Sequence, residues 1–314
     1  MSQSGLVTMR PMRFAIAIPQ FYSGGEFDPA AFRAYFARVE ELGYESAWAQ
    51  ESVLGASPQL APVEAMTYAA ACTERLRLGC VVFVSTLYSP VHLAKSLSTL
   101  DQLSQGRIDI GVGTGGPGRP FAAFGVDPHR YVARFTEGLA LMKALWTEPR
   151  VTFEGEFWQL RDAAMEPKPA QRPHPPVWIG ANSRTALRRA ARLGDGFFGA
   201  GSTPTGTFAE QVKTVREALA ESGRTGFGLA KRVYISVGDD TGQARAQINA
   251  ALERLYGRRS GQIEAAAIAG NPDECASELR QVAAAGAQLI LCTTLSDQAR
   301  QAERLAAEVL PQVG

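Results

Sequence analysis

Histidine and cysteine are scarce in this chain, and their placement excludes two kinds of chemistry. The three histidines, His92, His129 and His174, stand far apart and form no H-x-x-x-H pattern, so no metal site is predicted. The four cysteines, Cys72, Cys80, Cys275 and Cys292, include no C-x-x-C pair, and three of them fall in apolar stretches, as buried thiols do. An excess of one charge sign is also missing. Lysine plus arginine number 32 and aspartate plus glutamate 31, a net charge of +1. Such a balance gives no basic face for nucleic acid or an acidic membrane, and neither partner is expected. No apolar run is long enough to span a bilayer, and the start of the chain lacks the charged-then-apolar pattern of an export signal. Reduced thiols without an export signal predict a cytoplasmic protein, and the expected partner is a small-molecule substrate.

What is present is an ordinary globular balance, 46% apolar and 20% charged over 314 residues. That length allows two domains, but α/β barrels reach it as one. Short apolar runs alternate with longer helical stretches. Residues 13–18 (RFAIAI) read as a strand, and 30–42 as a helix with Phe32, Tyr35, Phe36, Val39 and Leu42 on one face, ended by Gly43. Strands follow at 46–49, 78–84 and 108–113, separated by helices at 62–71 and after Pro90. The run 78–84 (LGCVVFV) suits a strand buried on both faces. A helix over 130–146 aligns Phe135, Leu139, Met142 and Trp146. The rhythm then breaks at 151–176, where FEGEF at 153–157 predicts a hairpin and prolines at 167, 169, 173, 175 and 176 predict an extended excursion. It resumes with strands at 177–179, 196–199, 232–237 and 289–292, and helices at 183–193, 207–222, 241–256, 272–285 and the C-terminus.

Eight strands, each followed by a helix, fit a closed barrel better than an open doubly wound sheet. The predicted fold is a single (β/α)8 TIM barrel over residues 13–314, preceded by a flexible leader over 1–12, with 151–176 and 257–269 inserted in barrel loops. In such a barrel, chemistry gathers at the C-terminal ends of the strands.

Four strings carry a resemblance. They are LAKSLSTLDQLSQGRIDIGVGTG (93–115), RFTEGLALMKALWTEPRVTFEGEFW (134–158), PPVWIGANSRTALRRAARLGDGF (175–197) and NPDECASELRQVAAAGAQLIL (271–291). Together, and in this order, they resemble the luciferase-like monooxygenase superfamily, and most of all its branch of oxidoreductases using the deazaflavin coenzyme F420. The resemblance implies a tricyclic cofactor at the C-terminal mouth of the barrel.

The residues give a compatible picture. Gly180, Ala181, Asn182 and Ser183 form a junction of small residues between a strand and a helix, with Ser183 as N-cap. Backbone N–H groups and the helix dipole there favour an anion. The resemblance makes this the cofactor-phosphate site, with Arg184 assisting; a tight turn with ordinary capping is the alternative. The resemblance also implies a bulge with a cis peptide at Val81–Val82, supporting the ring, whereas locally these residues read equally as plain core strand. The glycine-rich run GVGTGGPG at 111–118 matches G-x-G-x-x-G only loosely. It offers Thr114 and Gly115 at the ring edge, glycine allowing a planar group to approach the backbone.

Two departures from the family pattern bear on activity. Many deazaflavin enzymes of this type have an Asp-His pair after the second strand, where this chain has Glu51 and Ser52. Its sugar-phosphate dehydrogenases have a glutamate two residues after the fourth-strand threonine, where this chain has Gly116. Without that acid/base pair, oxidation of a sugar phosphate is not expected. Glu51 is the candidate catalytic carboxylate, with a surface capping or salt-bridging role as its alternative. Phe21, Tyr22 and Trp48 are candidates for an apolar substrate pocket, or else simple core. The expected activity is hydride transfer from reduced F420 to an activated C=C or C=O bond. The alternatives are an FMN-dependent monooxygenase, fed reduced flavin by a separate reductase, and a non-catalytic flavin-binding barrel. A homodimer is expected, formed through helices near the second and third strands.

Overall fold

The computed structural model describes residues 11–22, 26–55, 57–116, 118–257 and 260–314. The expected leader lies outside the described residues through residue 10. From there the elements alternate: β1 (Arg13–Ala17), α1 (Pro29–Glu41), β2 (Ser46–Ala49), α2 (Pro62–Cys72), β3 (Arg77–Val84), α3 (Pro90–Leu103), β4 (Ile108–Gly113) and α4 (Tyr131–Thr147). A hairpin of β5 (Val151–Glu154) and β6 (Gln159–Ala163) interrupts them. The alternation continues with β7 (Val177–Gly180), α5 (Arg184–Leu193), β8 (Gly196–Gly199), α6 (Thr205–Ser222), β9 (Gly228–Val237) and α7 (Thr241–Tyr256). Then come α8 (Ser260–Glu264), β10 (Ile268–Gly270), α9 (Pro272–Ala284), β11 (Leu289–Thr293) and α10 (Gln298–Arg304).

The strands β1, β2, β3, β4, β7, β8, β9 and β11 pair in parallel in that order, and β11 returns to β1. These eight strands therefore close into a ring, and the fold is a closed eight-stranded α/β barrel. Short β10 adds to β9 outside the ring, Ile268 opposite Ile235.

Helix ends are set by local chemistry. Asp28 accepts from the backbone N–H groups of Ala30 and Ala31, with Pro29 starting α1, and Gly43 follows the helix at φ +83°. Asn271 and Glu274 close a reciprocal capping box on α9. The main core lies between strands and helices, where Phe36, Met66, Leu97, Phe135 and Phe208 are fully enclosed.

The barrel interior is filled differently. Trp48, Trp178 and Phe198 meet edge-to-face, with centroids 4.8–6.2 Å apart. Glycines on the neighbouring strands make room for the indoles. A Cβ on Gly79 would stand 2.5 Å from Cε3 of Trp48, and Gly196 and Gly228 face Trp178 as closely. Beneath them, Asp109 accepts from Nε1 of Trp178 at 3.1 Å and pairs with Arg77 at 2.8 Å.

Both expected insertions fall in connections between barrel strands. The excursion over 151–176 connects α4 to the start of β7, so it lies at the strand N-termini, away from the mouth. The segment 257–269 is not plain loop: it carries α8 and β10, and Ile263 within it faces the mouth.

Candidate active site at the barrel mouth

At the C-terminal ends of the strands lies a two-lobed cavity. The larger lobe, about 780 Å³, is bounded by the ends of β3, β4 and β7 and the start of α5. The smaller, about 390 Å³, lies among the segments after β1 and β2, the end of β3, and Arg119. Val81, Val82, Arg119, Arg232 and Tyr256 line both. Volumes of this order suit a cofactor-sized molecule beside a small substrate.

The larger lobe gathers most of the cofactor residues read from the sequence. Val81, Val82, Thr114, Gly115, Gly180, Ala181, Asn182 and Ser183 all line it. The Val81–Val82 peptide is cis, and the β3–β4 register shifts between Cys80 and Phe83, the bulge that the resemblance implied. Glycines frame this bulge: a Cβ on Gly113 would stand 2.7 Å from Cγ2 of Val82, and one on Gly180 3.2 Å from its Cγ1. Gly180 thus serves close packing against Val82 as well as the junction before α5. Ser183 caps α5, accepting from the backbone N–H of Ala186 at 3.3 Å.

Arg184 is placed elsewhere. Its side chain is 71% exposed and lies 3.5 Å from Glu217 of α6, because the first turn of α5 points it away from the mouth. The helical period instead brings Thr185, Ala186 and Arg189 onto the lobe. Nε of Arg189 is buried and has no protein acceptor. A donor left unmet beside a helix N-terminus is a fit for an anionic group bound there.

Glu51 lines the smaller lobe and is buried, which rules out its surface alternative. Its carboxylate accepts from the Tyr88 hydroxyl and from the backbone N–H of Val84, just past the bulge. Burial raises its pKa above the usual carboxylate value, and the Tyr88 hydrogen bond, the Val84 N–H and the charge of Arg119 only partly oppose this. Burial, followed by the field of Glu51, also raises the Tyr88 phenol. Burial thus biases both groups toward their protonated forms at the edge of the cavity.

The three aromatics separate. Phe21 lines the smaller lobe and bridges to Gln59. Tyr22 turns to Phe27, centroids 5.7 Å apart, extending an aromatic chain over α1 rather than the lobe. Trp48 is 1% exposed, its Nε1 donating to Ser46, and it fills the barrel interior instead of a substrate pocket. It points inward as expected of a barrel strand, but one layer beneath the mouth.

Sequence reasoning passed over Tyr88, Arg119, Arg189, Arg232, Tyr234 and Tyr256. Only Arg189 left a signal, its spacing of four from Thr185; the others reach the mouth through strand alternation and loop paths that no local pattern displays. Cys80, Cys275 and Cys292 are buried free thiols and Cys72 is half-buried. Among the described residues, no helix is long and apolar enough to cross a membrane.

Residues 12–289 match the family model described as luciferase-like monooxygenase. The chain is 30% identical to the F420-dependent glucose-6-phosphate dehydrogenase of Intrasporangium calvum, across 92% of this chain and 96% of that one. It is also 30% identical to the FMNH(2)-dependent dimethylsulfone monooxygenase of Pseudomonas putida, across 76% of this chain and 69% of that one. Among solved structures, the monooxygenase RslO1 from Streptomyces bottropensis superposes with a TM-score of 0.85 at 25% identity, covering 96% of this chain and all of that one.

Proposed function

Since this chain belongs to the luciferase-like monooxygenase family, we propose that it is an oxidoreductase that uses reduced coenzyme F420 to reduce an activated C=C or C=O bond of a small organic substrate. The observation that carries this reading is Glu51, a buried carboxyl with a raised pKa at the edge of a small lobe that opens beside a cofactor-sized one. Reducing such a bond takes a hydride and a proton, and Glu51 is placed to give the proton. When bound, the reduced deazaflavin supplies the hydride.

This chain's own residues hold and orient. Gly180, Ala181, Asn182 and Ser183, with the start of α5 and Arg189, would hold the cofactor phosphate. Val81 and Val82, with Thr114 and Gly115, would hold the ring. Phe21 and Tyr256 give the smaller lobe aromatic surface for the substrate. Oxidation of a sugar phosphate is not part of the proposal, because Ser52 and Gly116 supply no acid or base.

A second reading, an FMN-dependent monooxygenase supplied with reduced flavin by a separate reductase, is favoured by the dimethylsulfone monooxygenase relative. The F420-dependent relative is matched over a larger share of both chains at equal identity, which favours the first. Two assays separate them. With reduced F420 and cyclohexenone, the oxidised deazaflavin band should grow at an enzyme-dependent rate. With reduced FMN and dimethylsulfone, oxygen uptake should not exceed that of free flavin. The reverse pattern would establish the monooxygenase.

A further inference from the structure

The smaller lobe holds a cation whose counter-charge is missing. Arg232, on β9, is 8% exposed and lines both lobes where they join. Nε donates to the Thr293 hydroxyl at 3.0 Å, and Cζ stands 4.5 Å from the centroid of the Tyr234 ring, so the head group is fixed in orientation. Nη2 is buried and has no protein acceptor. Among the described residues, no carboxylate lies within ion-pair distance of it. The acid of the lobe, Glu51, is engaged by Tyr88 and Val84. A second cation, Arg119, lines the same lobe.

A fold does not leave a buried guanidinium donor unmet without reason, because the group has been taken from water and repaid with nothing. The planar fork of arginine matches carboxylate and other oxyanions, which accept two N–H groups side by side. Glycines, prolines or apolar residues at this position would enclose the lobe as well, so enclosure alone does not call for arginine.

We propose that Arg232 is the specificity-determining residue of the smaller lobe and receives an anionic oxygen group, a carboxylate or sulfonate, carried by the substrate. Arg119 adds to the attraction from the rim. Docked on Arg232, the anion sits where the two lobes meet, so the rest of the substrate extends between the bulge at Val81–Val82 and Glu51. The assignment rests on reading the smaller lobe as the substrate site. The preferred substrate is then an activated C=C or C=O compound that carries a carboxylate or sulfonate, with neutral compounds of the same kind accepted more weakly.

Calorimetric titration tests this without turnover. Crotonate, benzoate and methanesulfonate are compared with their neutral amides, on the apo-protein and on protein loaded with F420. At least one anion should bind at least tenfold more tightly than its amide, and Arg232→Gln should abolish that preference while cofactor affinity stays within about twofold. Arg232→Lys, which keeps the charge but loses the fork, should retain part of it, and thermal melts of both variants report whether they fold. No preference for any of the three anions in the wild type would overturn the proposal. So would an Arg232→Gln variant that binds cofactor poorly and keeps the anion preference, since the arginine would then serve the cofactor. Failure of F420 to bind at all would count against the proposed function, while the apo-protein titration would still decide the role of Arg232.

Discussion

At the scale of the residue, the proposed chemistry rests on side chains that are buried and yet polar. Glu51 is the sharpest case, since water is withheld from its carboxyl while Tyr88 and Val84 hold it in place. Its folded pKa is raised, so it keeps its proton above the ordinary carboxylate range and loses it as pH climbs through the raised value. Wild-type turnover at saturating cofactor should therefore fall along a basic limb set by Glu51. Glu51→Gln should lower turnover by about 10²-fold or more, remove that limb, and leave F420 affinity unchanged. A pH profile of kcat checks this, and a limb that persists in the variant would assign the proton to another group. The carboxylate was legible in the sequence because it stands at a strand end, where the resembled enzymes have their Asp-His pair. Arg189 and Arg232 were not. An arginine on a helix or strand looks the same whether it faces solvent or a cavity, and Arg184 drew attention only by its nearness to Ser183.

At the scale of the element, the period of apolar residues located every barrel strand and the helix after it. The glycines and prolines at their ends gave most boundaries to within a few residues, as at Gly43 and Pro90. The short pieces α8 and β10 escaped, being too brief to show any period. What no period displays is the filling of the barrel interior, where Trp48 on β2 is accommodated only because β3 carries Gly79 beside it. Gly79→Ala should accordingly cost about 1–3 kcal/mol through overpacking against the indole. Gly206→Ala, on α6 with open space around it, should cost nothing or stabilise slightly. Denaturant unfolding of the two variants makes the comparison. Equal stabilities would mean that the Trp48 indole shifts freely, contrary to the packing described.

At the scale of the molecule, closure of the barrel makes one site from distant parts of the chain. The ends of β2, β3, β4, β7 and β9 meet at one mouth, although they span residues 51 to 237. The eight strand-helix units made this architecture legible, but the unmet Nη2 of Arg232 is a property of three-dimensional packing alone. Self-association through α2 and α3 is proposed as well. The exposed Leu103 at the end of α3, 62% accessible, would be covered by it, and sedimentation at micromolar concentration should show a dimer that Leu103→Glu weakens. The central claim is that the larger lobe is built for the deazaflavin. Fluorescence titration of the purified apo-protein with F420 and with FMN, under identical conditions, tests it most directly. F420 should bind at least tenfold more tightly, a difference of about 1.4 kcal/mol; tighter binding of FMN, or no binding of F420, would contradict it.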